Sequence, residues 1–63
     1  MVTEAIKRLE GGRVSVALRN GTRLDDCQLV AAPRGCGTDV WFFAGGADLF
    51  VPAAEIVDLW EAG

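Results

Sequence analysis

Histidine and tyrosine are absent from the 63 residues, and only two cysteines are present. Without an imidazole to act as base, a cysteine nucleophile of the Cys-His kind is excluded. Two thiols with no histidine and no Cys-x-x-Cys spacing also fall short of a zinc site, so neither metal nor other cofactor is expected. Positive charge is scarce: six basic residues face nine acidic ones, the net charge is −3 and the sequence pI is near 4.6. That field opposes the phosphate neutralisation on which nucleic-acid binding depends, although a local basic patch could still act. No apolar run approaches the ~20 residues that span a bilayer. Glu4, Lys7, Arg8 and Glu10 interrupt the stretch where a signal peptide would be apolar. The chain is therefore expected to be cytoplasmic, with no membrane contact and with Cys27 and Cys36 as free thiols. The adjacent carboxylates Asp25 and Asp26 fall on a predicted strand and point to opposite faces, so they make no acid/base pair unless a bulge realigns them. No enzyme is expected.

Hydrophobic residues make up 51% of the chain and charged residues 24%, a balance that calls for a packed core. Residues 1–63 read as one small domain. A domain of this size buries only ~60% of the surface its unfolded chain exposes. With disulfide and metal disfavoured, a partner subunit is the expected supplement, and a homo-oligomer is predicted.

The hairpin around Asn20 organises the pattern. Val14, Val16 and Leu18 alternate with Ser15, Ala17 and Arg19 and run into Asn20-Gly21. This predicts a two-residue type I′ turn with positive φ at both Asn20 and Gly21. Ahead of it, Thr3 is placed to cap a helix over Glu4 to Glu10, ended by Gly11-Gly12, whose stripe of Ala5, Ile6 and Leu9 docks as a lid on the core or, alternatively, on a neighbouring chain.

Beyond the turn, Leu24 keeps the inward parity of even positions, whereas Cys27, Leu29 and Ala31 are odd. A β-bulge at Asp25-Asp26 would produce that slip and bend one long strand; a break into two strands is the alternative. Residues 32–38, with one Pro and two Gly, form a loop holding Cys36. Asp39 to Ala44 is a strand apolar on both faces, Trp41 and Phe43 on one and Val40 and Phe42 on the other, with its outer face covered by the helix or a partner. Gly45-Gly46 turns into a strand over Leu49-Phe50-Val51. Pro52 ends it, one 3₁₀ turn follows, and Ile56 to Trp60 is the last strand.

This order of elements, with Val14-x-Val16-x-Leu18-x-Asn20-Gly21 and Val51-Pro52-x-x-x-Ile56, resembles the SH3-like small barrels, in particular their Sm-like branch. The resemblance implies a mainly β fold: a short N-terminal helix followed by a five-stranded, strongly bent open barrel. Bacterial Rho-binding antitermination proteins, which act by protein contact, are similar in topology. Sm-like proteins carry an Asp followed by a Met-Asn pair in the loop after the second strand, where this chain reads Pro33-Arg34-Gly35-Cys36-Gly37. Their later Arg-Gly pair is missing too. The family's RNA pocket is thus not carried over to any residue here.

Two functional expectations follow. In the first, the chain is a non-catalytic, self-associating interaction module that also binds a protein through a barrel edge, in a regulatory role. Trp41, Phe43, Phe50 and Trp60 suggest it, because Trp is enriched at interface hot spots, although all four could instead fill the core. The expected contact surface is Val57, Leu59, Trp60, Phe50 and Trp41. The last strand supplies much of it, since it shows no Lys, Pro or bulge to guard its edge. In the second, Arg19, Asn20 and Arg23 at the hairpin tip and Arg34 in the next loop contact nucleic acid.

Overall fold

The computed structural model describes residues 3–62. A short helix α1 (Thr3–Arg8) leads into strands β1 (Arg13–Leu18), β2 (Arg23–Ala31), β3 (Asp39–Ala44) and β4 (Ala47–Pro52); one turn of 3₁₀ helix (Ala53–Glu55) then precedes β5 (Ile56–Glu61). The strands form one antiparallel sheet in the order β4-β3-β2-β1-β5. The two edge strands, β4 and β5, are not paired with each other, so the sheet stays open.

The bend arises where the parity slips. Val14 pairs with Cys27 and Val16 with Leu24, so Asp25 and Asp26 together oppose Ser15. This is the expected bulge within one continuous β2, with Asp26 in the left-handed region at φ 54°. Arg13 holds it from across the ladder, donating from Nε to Asp26 Oδ1 at 2.7 Å and from Nη2 to the Asp26 carbonyl at 3.1 Å. The bulge lets Val14 and Val16 of β1 and Cys27 and Leu29 of β2 face one core, which Val40, Phe42, Ile56, Leu59 and Ile6 complete. A second irregularity follows at Val30, between the pairs Leu29–Phe42 and Ala31–Trp41.

The sequence expectations need correction at four places. The hairpin tip is not a type I′ turn: Gly21 has φ 92°, but Asn20 is not in the left-handed region. Gly21 N donates to Leu18 O at 3.0 Å and Leu18 N to Thr22 O at 2.8 Å, which makes a three-residue loop closed by a glycine bulge. The Asn20 side chain decides it, since its Oδ1 accepts the Thr22 N–H at 2.9 Å and settles the turn without a positive φ at Asn20. The two-residue turn with positive φ at both centres occurs instead at Gly45-Gly46, between the paired Ala44 and Ala47.

Helix α1 ends at Arg8 rather than Glu10. Gly11 N donates to Leu29 O at 2.7 Å and Leu29 N to Gly12 O at 2.9 Å, so the chain is drawn onto β2 before the helix can extend. Thr3 is itself helical and is not the cap; the residue before it lies outside the described residues. Ile6 still reaches the core, and α1 rests beside β5, away from the outer face of β3. That outer face is thus not covered by the helix. Finally, β5 is bulged. Ala17 pairs with Asp58 and Leu18 with Ile56, so Val57 is the extra residue. Ile56 and Leu59 both face inward as a result, although their parity differs.

Candidate interaction surface

Along β3, burial alternates strictly: Val40 and Phe42 are fully enclosed, while Trp41 and Phe43 point out of the sheet. In β4, whose six residues pair in unbroken register with β3, Trp41 lies beside Phe50 and Phe43 beside Asp48. The Trp41 and Phe50 rings stack with centroids 5.7 Å apart and planes 26° from parallel. Trp41 Nε1 donates to Asp48 Oδ1 at 3.0 Å, which fixes the indole across the strand pair. Phe50 is 61% exposed, Phe43 42% and Trp41 37%, so none of the three is a core filler.

This aromatic face continues into a shallow groove of about 280 Å³ lined by Ala31, Ala32, Pro33, Arg34, Asp39, Trp41 and Phe50. Its far wall is the loop after β2, pinned by Glu10: Oε2 accepts the Ala32 N–H at 2.7 Å and an Arg34 Nη2–H at 3.1 Å. Pro33, Asp39 and Asp48 are thus parts of this surface that the sequence reading did not name as contacts, and Phe43, named there among the aromatic residues, was left out of the expected contact set. The alternation of β3 held the signal for Phe43, but which face met the core was open until β2 and the helix were placed.

The five residues expected at an interface do not share one patch. Trp41 and Phe50 stand together on the β3–β4 outer face. Val57, 55% exposed, projects from the bulge of β5 at the opposite end of the sheet order. Leu59 is turned into the core at 5% exposure. Trp60 is half-buried, with the Arg23 guanidinium 5.1 Å from its ring centroid.

The residues considered for nucleic acid are engaged within the chain. Arg19 donates through Nε and Nη2 to the Ala54 carbonyl at 3.3 and 3.1 Å. Asn20 Oδ1 holds Thr22 N. Arg23 pairs with Asp25 at 2.8 Å as well as covering Trp60, and Arg34 pairs with Glu10.

The thiols divide as their positions predict, Cys27 buried and Cys36 exposed, and both are free. Burial pushes the Cys27 thiol above its ordinary pKa, and its Sγ lies 3.5 Å from the Val14 carbonyl oxygen, to which it donates. No helix among the described residues is long and apolar enough to cross a membrane. No protein-family model and no curated protein matches this chain.

Proposed function

We propose that this chain is a non-catalytic interaction module that associates with itself, and with a protein partner, through a free edge of its sheet. The observation that carries the reading is the aromatic group Trp41, Phe43 and Phe50, turned to solvent on a regular strand pair whose outer strand is unpaired. Aromatic residues with little conformational entropy to lose and a row of open backbone donors and acceptors are the two ingredients of strand-addition recognition. The finer assignment to the SH3-like barrels of the Sm-like kind belongs to this proposal. It is supported by the strand order β4-β3-β2-β1-β5, the bent β2 and the 3₁₀ turn before β5.

The test is solution mass together with nucleic-acid retention. Light scattering on the unmodified chain should give a mass above 6.7 kDa at high micromolar concentration, and Phe50→Lys should bring it down to that of one chain. A filter-binding assay at low salt should retain neither RNA nor DNA. Retention that falls steeply with salt would replace this reading with the nucleic-acid one.

A further inference from the structure

The two open edges of the sheet are unequal. On β5, the extra residue Val57 breaks the ladder. The Leu59 N–H is also consumed by the neighbouring carboxylate, Asp58 Oδ1 accepting it at 2.8 Å. A bulge and a capped donor are devices that keep an edge from pairing. On β4, every residue from Ala47 to Pro52 is in register with β3 and no bulge interrupts it.

The ladder itself says which β4 groups are open. Ala44 and Ala47 flank a two-residue turn and exchange both of their hydrogen bonds, and antiparallel pairs alternate from there. Leu49 and Val51 therefore bond to β3, while the backbone groups of Asp48, Phe50 and Pro52 point away from the sheet. Pro52 brings a carbonyl but no N–H. The open edge thus offers N–H and C=O at Asp48 and at Phe50, and a blocked end at Pro52.

We infer that β4 pairs antiparallel with β4 of a second copy about a two-fold axis at Leu49, joining the two five-stranded sheets into one continuous sheet. This rests on the self-association proposed above and names its edge and register. Only this register pairs Asp48 and Phe50 with residues that return both hydrogen bonds and sets no like charges opposite each other. An axis at Asp48 would set the two Asp48 carboxylates directly opposite each other, which is repulsive. An axis at Phe50 would align Asp48 with the donorless Pro52, and an axis between residues would set outward groups against inward ones. With the axis at Leu49, Asp48 of each copy exchanges hydrogen bonds with Phe50 of the other. Leu49 then meets its own copy at a close, non-hydrogen-bonded pair. The outer face becomes one aromatic row, in which Phe50 of one copy lies beside Asp48 and then Phe43 of the second. Because β4 is used up in both copies and β5 is guarded, the assembly closes at a dimer instead of growing into a fibre.

Cysteine cross-linking tests the register. In a Cys36→Ser background, Leu49→Cys should form a disulfide-linked dimer nearly completely under mild oxidation, since a non-hydrogen-bonded pair brings the Cα atoms within disulfide reach. Val51→Cys, which would face Ala47 of the second copy, and Val57→Cys should remain uncross-linked. A chemically synthesised chain with an N-methyl group on the Phe50 amide keeps every side chain and every β3–β4 bond. It should nevertheless dissociate about thirtyfold more readily, the equivalent of two lost hydrogen bonds. An assembly that cross-links through Val57→Cys, or that ignores the N-methyl group, would overturn the β4 pairing and leave self-association standing. A chain that stays at the mass of one copy and cross-links nowhere would overturn both.

Discussion

Replacing Gly21 by valine isolates one backbone conformation from everything else in the fold. Gly21 has φ 92° and nothing lies within 4 Å of where a Cβ would stand, so no clash contributes and the cost is torsional alone. A β-branched residue held in the left-handed region costs about 1–3 kcal/mol. For a domain of this length each kcal/mol moves the unfolding midpoint by roughly 4–8 °C, so a loss of about 2 kcal/mol predicts a fall of roughly 8–16 °C in a calorimetric or circular-dichroism melt. The neighbouring position discriminates between turn types. A D-amino acid prefers positive φ, so d-alanine in place of Gly21 should leave the midpoint unchanged or raise it. The same residue in place of Asn20 should lower it, because Asn20 is not in the left-handed region and its Oδ1 holds Thr22 N. A type I′ turn would accept d-alanine at both positions. Tolerance at Asn20, or an unchanged midpoint for Gly21→Val, would refute the three-residue loop.

Phe42→Ala should cost about 3–5 kcal/mol, enough to unfold most of so small a domain. Phe43→Ala, one residue on but facing out, should cost under about 1 kcal/mol, and comparable urea midpoints for the two would reverse the assignment of faces. The Asp26 carboxyl is held below its ordinary pKa, first by the hydrogen bond from Arg13 and then by that residue's charge. A depressed carboxylate stabilises the fold above its unfolded pKa and loses that contribution as pH falls through the folded value. Asp26→Asn should therefore flatten the acid limb of a stability–pH curve and leave a curve identical in shape only if the pair is idle. In the native protein a thiol reagent should modify the exposed Cys36 directly and Cys27 only on opening; equal rates would contradict the buried position of Cys27.

The Asp25-Asp26 bulge was legible because it leaves a mark in the sequence, a change of parity between Leu24 and Cys27 that regular pleating cannot accommodate. The bulge at Val57 leaves no such mark. Ile56, Val57, Leu59 and Trp60 are all apolar, so a slip of one residue alters the burial of each without altering the pattern. The same degeneracy hid the orientation of β3, where Trp41 and Phe43 are as apolar as Val40 and Phe42 and only the placement of the neighbouring elements decides. At the Asn20 tip the dipeptide was read correctly as a turn, but its type rests on a side-chain hydrogen bond to Thr22 that propensity does not encode. The candidate surface was therefore half visible. Trp41 and Phe50 were selected for what they are, Leu59 was selected with a last strand expected to carry no bulge, and Asp48 entered only with the Trp41 Nε1 bond.

Amide hydrogen exchange at Asp48 and Phe50 tests the open β4 edge most directly. Leu49 and Val51 bond to β3 and serve as internal references that should be protected at any concentration. The account predicts that the Asp48 and Phe50 amides exchange at nearly free-peptide rates in dilute solution and become protected as concentration rises, in step with the increase in mass. Free exchange of both amides at a concentration where the mass has already doubled would contradict it.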